Sequence, residues 1–476
     1  MDDMYATNAS VASNRLKVLT VIASYGRKNI DYLQQLIRTY QGMQFDVDIV
    51  VVSDAPKDLG SDVEVVVGLP SANPWSLPFA HKPIFAQNLE HYDLFLYSED
   101  DMGVTEENIR AFLRASACLE KDEIAGFLRY EVDESGVWSF PEVHGSYHWK
   151  PESVRQRGEY IIAEFTNEHA AFYLLTQDQL RRAVASGGFL REPYEGRYDM
   201  LCTAATDPYT SCGFRKVICI SVLDQFLIHH LSNRYPGKFG ISIAKFRSQV
   251  ERLLAIAKGD HPATSLLERE NASGFCNWSR NLYERPDQEL VALIPAGTKR
   301  ILSVGCGWGA TEVEMIQGGA TVIALPLDSV IAAAAAAAGV ELIYGRIEEC
   351  LLTLESEAFD CVFISNLLHF VSNPQRLLEE CRRVMAPEGL ILISGPTSAS
   401  AQSLGKRLFG WGASKLPYAR KDVNKLWMRP SFVRSQVNKC GLKSGCVHWR
   451  RGGGARARLP ILGRFSAVGW ALQARR

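Results

Sequence analysis

The sequence predicts an α/β protein of two domains, each a mainly parallel sheet with flanking helices. Three observations predict it. Near-continuous apolar runs rich in β-branched residues alternate with stretches of helical apolar spacing, the pattern of strands buried on both faces. After a polar stretch the series starts afresh, with a glycine-rich turn directly behind its first strand. The chain also has 476 residues, more than one hydrophobic core ordinarily organises.

Residues 1–14 are polar and acidic and lack an apolar h-region, so they read as a disordered tail and not as a signal peptide. The first domain is placed at 15–246. KVLTVIAS opens it as a buried strand and ends at Tyr25-Gly26-Arg27. NIDYLQQLIRTYQGM carries Ile30, Leu33, Leu36, Ile37 and Tyr40 at helical spacing. DIVVVSD and DLFLYSEDD are further strands, followed by FLRYE, a strand-then-helix HAAFYLLTQDQLRRAV, and VICISVLDQFLIHHL. Residues 247–286 are mainly polar with a helical pattern and read as a helical connector.

The second domain, 287–476, runs through RILSVGCGWG, TVIALPLD, VELIYG, FDCVFIS and GLILISGP. Between the second and third of these, the alanines Ala332 to Ala338 form a helix able to pack close to a sheet. No internal repeat is present. The overall net charge of -1 singles out no partner, but residues 404–476 hold 17 Lys/Arg against one acid, Asp422. No apolar run reaches the roughly 20 residues of a membrane span. The 11 cysteines show no CxxC pair and no zinc spacing, which fits a reducing cytoplasm.

Gly305, Gly307 and Gly309 lie between a strand and a helix, where backbone can approach a ligand and helix N–H groups face it. A tight structural turn is the alternative for such a loop alone. The order around it decides: FDCVFISNLLHFVSNPQRLLEECRRVMAPEGLILIS resembles the fourth strand, following helix and fifth strand of class I S-adenosylmethionine (SAM)-dependent methyltransferases. RPSFVRSQVNKCGL is similar to that family's last helix and GWALQARR to its closing strand. The resemblance implies a Rossmann-like domain that binds SAM over Gly305, Gly307 and Gly309. It places Asp328 near the ribose and Arg346 and Ile347 beside the adenine. Three positions depart from the family pattern: Ser303 and Pro326 stand where acids are usual, and Arg346 replaces the adenine-binding acid. His369 is a candidate base for O-methylation, or a side chain that packs at a strand end.

In the first domain an apolar strand runs into Glu99, Asp100 and Asp101. Clustered carboxylates raise one another's pKa and are relieved by a hard divalent cation. Strand ends of this kind are also where α/β sheets bind ligands. The domain resembles GT-A glycosyltransferases over about Leu16 to Gly240. The resemblance implies a DxD-like motif at Glu99-Asp100-Asp101, with Glu99, Asp101 and a histidine of FLIHHL, His230 ahead of His229, holding Mn²⁺ or Mg²⁺. It further implies a nucleoside diphosphate sugar bound by Ser24, Arg27, Asp54, Lys82 and Asp100, with Asp224 or Glu168 as acceptor base.

The implied protein is a bifunctional transferase. It adds a sugar to a glycan or lipid-linked acceptor and methylates the same or a related substrate. The basic region 404–476 reads first as a lid over the methyltransferase site, with peripheral membrane contact or a grip on an acidic glycan as alternatives. No nucleic-acid module is recognisable. The cytoplasm, including its membrane surface, is the expected location. Two other readings stay open: an inactive methyltransferase-like binding module, or a sugar nucleotidyltransferase in the first domain.

Overall fold

The computed structural model describes residues 15–140, 147–236, 241–266, 285–396, 427, 429–450 and 469–476. The tail at 1–14 and most of the basic region 404–476 lie outside the described residues. The chain separates into two compact units, Met1–Pro141 with Gln156–Gly240, and Glu142–Arg155 with Ile241–Arg476. The division therefore falls at 240, and an excursion from the first half joins the second unit. Helix Ile243–Lys258, read from sequence partly as a connector, belongs to that second unit. Its buried Phe246, Val250 and Leu253 form an apolar stripe that needs cover.

The first unit is organised by strands β1 (Lys17–Ser24), β2 (Asp46–Ser53), β3 (Val63–Val67) and β4 (Leu94–Glu99). They lie side by side in parallel, in the order β3-β2-β1-β4. β4 is flanked on its other edge by antiparallel β11 (Phe172–Thr176). β1 is buried at every position but its first residue, and VVVS of β2 is equally covered, as a sheet with layers on both faces requires. The helix Ile30–Gln41 covers it with Leu33, Leu36, Ile37 and Tyr40, the predicted face.

Short strands complete the unit. β5 (Met102–Gly103) pairs antiparallel with β13 (Leu227–His230), which runs parallel to β7 (Leu128–Val132). β8 (Trp138–Phe140) is antiparallel to β7. β6 (Glu123–Ala125) runs parallel to β12 (Arg215–Cys219), which is antiparallel to β10 (Tyr160–Phe165). β9 (Trp149–Arg157) carries the chain back from its excursion.

In the second unit β14 (Ile241–Ser242) leads into the helix Ile243–Lys258. A seven-stranded sheet follows: β15 (Arg300–Cys306), β16 (Thr321–Pro326), β17 (Glu341–Leu342), β18 (Phe359–Ser365), β19 (Met385–Pro396), β20 (Lys443–Arg450) and β21 (Gly469–Arg475). Its order is β17-β16-β15-β18-β19-β21-β20. Counted within the sheet this is 3-2-1-4-5-7-6. The first five strands are parallel and β21 enters antiparallel between β19 and β20. The order reverses direction beside β15, where the carboxyl ends of β15 and β18 part and open α/β sheets bind ligands.

Among the described residues no helix is long and apolar enough to cross a membrane. The described cysteines are free thiols.

Candidate functional site

In the second unit β15 delivers the chain into a turn that only glycine accepts easily. Gly305 has φ +85° and Gly309 φ +87°, the left-handed region. Gly309 caps the helix Ala310–Gln317, so the first N–H groups of that helix open onto the turn. A Cβ on Gly309 would stand 2.4 Å from the Ala335 Cβ. The alanine run thus forms a helix (Ala333–Ala337) seated against the glycine turn, and small residues are needed on both sides.

The sequence departures acquire structural meaning here. Ser303, on β15, is 1% exposed and its hydroxyl donates to Glu312 at 2.7 Å. The carboxylate missing from the strand is present in the next helix, and Glu312 was not singled out from sequence. Pro326 ends β16, and Asp328 two residues on is 1% exposed. Asp328 Oδ1 accepts the N–H groups of Val330 and Ile331, both at 2.8 Å. Its Oδ2 is buried without a partner at hydrogen-bond geometry, the Ser265 hydroxyl being the side chain that stabilises the charged form. Burial pushes this carboxyl up to about 7, against the pull of the Ile331 amide.

Arg346 holds the N-terminal position of helix Ile347–Thr353, largely exposed, 3.5 Å from Glu349. The Ile347 side chain turns into the core at 1% exposure, so only its backbone is placed to meet a ligand. His369 is buried just beyond β18, its ring 4.1 Å from that of Phe370. A segment of this same unit covers the edge beyond β16. The Leu266 N–H donates to the Leu327 carbonyl at 2.8 Å, and the Ser329 N–H to Thr264 at 2.9 Å.

In the first unit the register sets Glu99 beside Ala23 and Ser24 beside Ser53, gathering three carboxyl strand ends. The acidic triplet is held by donors. Ser24 Oγ donates to Asp100 Oδ2 at 2.7 Å, and Asn29 Nδ2 donates to Asp100 Oδ1 at 2.7 Å and to Asp101 at 3.3 Å. His230 lies between Asp101 (3.1 Å) and Glu131, with Arg234 at 3.6 Å from Asp101. Burial works against a charge on His230, but the bonds to Asp101 and Glu131 outweigh it and raise its pKa. Burial would raise Asp101 too, yet its bond to His230 prevails and lowers it. Burial and the Asp101 charge push Glu99 up to about 8, and its Oε1 makes no hydrogen bond. Burial carries Asp100 to about 6 despite Asn29 and Ser24.

Asp54 accepts the Gly26 N–H at 2.8 Å and fixes the loop that carries Arg27. Ser24, Asp100, Asp101 and His230 are therefore brought together, with Glu99 and Asp54 adjoining them. Asn29, Glu131 and Arg234 complete the network and were missed. Asn29 reads as a helix-start residue and Glu131 as the end of an apolar strand, so neither signals chemistry by sequence.

The oxygen and imidazole donors suit Mn²⁺ or Mg²⁺. Their arrangement, however, is a closed hydrogen-bond network, and among the described residues no three His, Cys, Asp or Glu side chains form a group able to hold a metal ion.

Other expected residues lie elsewhere. Lys82 is corrected: it is 1% exposed, ion-paired with Asp207 and 4.1 Å from the centroid of Phe79, an interior charge pair and not a phosphate ligand. Glu168 is clamped by Arg197 (2.6 Å) and the Tyr198 hydroxyl (2.5 Å), which ties up the carboxylate a base would need. Buried Lys216 donates to the Glu168 carbonyl at 3.1 Å and that of Asn167 at 3.3 Å, and burial brings it down to about 7. Asp224 is exposed in the short helix Ile220–Phe226 ahead of β13, at the opposite end of that strand from His230.

Residues 302–393 match a family model described as a methyltransferase domain. A ubiquinone biosynthesis O-methyltransferase of Cereibacter sphaeroides (strain ATCC 17029 / ATH 2.4.9) is 28% identical over 162 residues, 33% of this chain and 65% of that protein. One from Pseudomonas entomophila (strain L48) is 33% identical over 154 residues, 30% of this chain and 65% of its own length. The chain thus spans somewhat less than two thirds of these relatives. Among solved structures, an S-adenosylmethionine-dependent methyltransferase from Mesorhizobium loti aligns at 19% identity and TM-score 0.30, covering 40% of this chain and 96% of that one.

Proposed function

We propose that the second unit binds S-adenosylmethionine over its glycine turn and methylates an oxygen acceptor, and that the first unit transfers a sugar from a nucleoside diphosphate sugar to a hydroxyl. The observation that carries methyl transfer is the pairing of that turn with Asp328. A buried carboxyl oxygen without a hydrogen-bond partner stands just beyond β16, where a ribose hydroxyl would satisfy it.

The cofactor supplies an electrophilic methyl group. The chain's own residues bind and orient it. Gly305, Gly307 and Gly309 leave room for close backbone approach, and the amides at the start of helix Ala310–Gln317 face the same space. Asp328 accepts the ribose, while the backbone at Arg346 and Ile347 flanks the adenine. Proximity does most of the catalytic work in this reading. His369 is the candidate to take the acceptor's proton. A His369→Ala variant with kcat down and KM unchanged supports that role, whereas equal loss of folding stability and activity assigns it to packing.

A specific observation supports sugar transfer in the first unit. Ser24, Asn29, Asp100, Asp101 and His230 converge at the carboxyl ends of parallel strands, and Glu99 keeps a buried oxygen unbonded. Arg27 and Arg234 are the cations proposed to meet a diphosphate. The acceptor class is a glycan or a lipid-linked glycan. A divalent ion at Asp101 and His230 belongs to this proposal and would have to displace the bond between them.

Calorimetric titration with SAM, then separately with UDP and Mn²⁺, tests both halves. Binding of both supports a bifunctional transferase. UDP without SAM leaves a methyltransferase-like binding module, and release of pyrophosphate from a nucleoside triphosphate would reassign the first unit to nucleotidyl transfer. Asp101→Ala should abolish sugar transfer and leave SAM affinity within about twofold, since Asp101 belongs to the first unit and the glycine turn to the second. Sugar transfer that survives this change removes Asp101 from the site.

A further inference from the structure

The carboxylate assigned to the cofactor's ribose is shut away from it. Asp328 is 1% exposed, Ser329 and Val330 are fully buried, and Leu327 is 5% exposed. A ligand hydroxyl cannot reach such a group while its cover is in place.

The cover is identifiable. After the helix Ile243–Lys258, Gly259 adopts φ +81° and ends it, and the chain turns back over the sheet edge. Ser265 then forms an antiparallel bridge with Asp328. Two main-chain bonds fasten it, from the Leu266 N–H to the Leu327 carbonyl at 2.8 Å and from the Ser329 N–H to the Thr264 carbonyl at 2.9 Å. Two lighter contacts add to these. The Thr264 N–H donates to Ser329 Oγ at 3.2 Å, and His261 Nε2 meets the Ser329 carbonyl at 3.3 Å.

Each of these bonds uses Leu327, Asp328 or Ser329. The bridge satisfies the backbone of that edge but leaves Asp328 Oδ2 without a partner at hydrogen-bond geometry. The Ser265 hydroxyl on the strap favours the charged form of Asp328, so the strap stands in for part of what a ligand hydroxyl would supply.

We infer that residues 261–266 form a self-blocking strap that competes with the nucleoside part of the cofactor for the edge beyond β16. This rests on the cofactor reading above. The strap and the ligand want the same ground, so ligand binding releases the strap, and the measured affinity is the intrinsic one reduced by the fraction of molecules in which the strap is already loose. The gate is built from main-chain bonds on one side of a single bridge, a unit small enough to open without unfolding the sheet.

The experiment uses the full chain and S-adenosylhomocysteine as probe. Leu266→Pro deletes the N–H that donates to Leu327 and should tighten binding about tenfold by calorimetry. In the unaltered chain, amide hydrogen exchange over 261–266 should speed up when the probe is added. Exchange there that slows on binding, or a variant that stays folded and binds no more tightly, overturns the strap and leaves the cofactor reading standing. No binding to either chain overturns both. The exchange measurement needs no substitution, so misfolding of Leu266→Pro would not spare the inference.

Discussion

A hydroxyl at 303 and a carboxylate at 312 meet inside the second unit, both nearly excluded from water. Removing the hydroxyl strands a buried acceptor, which costs about 1–3 kcal/mol. Ser303→Ala should therefore lower the denaturation midpoint, whereas Ser303→Ala with Glu312→Gln should recover part of the loss because the charge has gone. Guanidinium titrations of the two variants measure the difference. Lys216 makes a second prediction. Its pKa falls from 10.5 to about 7 on folding because burial penalises the ammonium, the Glu168 charge offsetting only part of that. Between those values the unfolded chain binds more protons, so stability rises as pH climbs from about 7 toward 10.5. Below about 7 the folded chain carries the full cost of the buried charge. Lys216→Met should flatten this dependence, and urea midpoints at neutral and alkaline pH compare the two. If the unaltered chain shows no such slope, the lysine is not desolvated as described.

At the scale of elements, the helix of alanines and the glycine turn fit only because neither side carries a larger side chain. Gly309→Ala brings a Cβ to 2.4 Å from Ala335 at a φ of +87°, so crowding and backbone strain act together. The expected loss is about 2–4 kcal/mol, read as a fall in melting temperature. Ala335→Gly in the same chain should return only part of the crowding share, because the Ala335 Cα stays 2.9 Å from the added Cβ. Elements of this kind were legible in sequence. RILSVGC, TVIALP, FDCVFIS and LILIS are apolar enough to be strands wherever they occur, and all four are central in the sheet. β20 was not legible. Its residues are mostly exposed or half-buried, and KSGCVHWR has no apolar run to announce a strand that pairs on one edge only. Single residues at the candidate sites divide the same way. Asp100 and Asp101 stand out as consecutive acids behind a strand, but Asn29 reaches Asp100 across 71 positions of chain, and Glu131 joins the network only by meeting His230, 99 positions on. Lys82 misled because a lysine in FAHKPIF looks like a surface charge until Asp207, 125 positions on, supplies its buried partner.

For the molecule as a whole, Asp101 and Asp328 belong to different units, and the proposed roles of the two units are tested separately by substituting each. Asp328→Asn should weaken S-adenosylhomocysteine binding about tenfold or more, as expected for losing a charged hydrogen-bond acceptor, with nucleotide binding by the first unit unchanged. Calorimetry on one sample with both ligands checks this. The sheet of the second unit has a further consequence in the order of its assembly. β21 comes last of the seven along the chain yet lies between β19 and β20. Until it docks, β19 presents an open edge and β20 has no partner strand, so two unsatisfied strand edges coexist in a partly folded chain. Such edges recruit other chains. Refolding should then lose yield steeply with protein concentration, and a free peptide of the sequence 469–475, competing for the same slot, should trap the chain before β20 can close it.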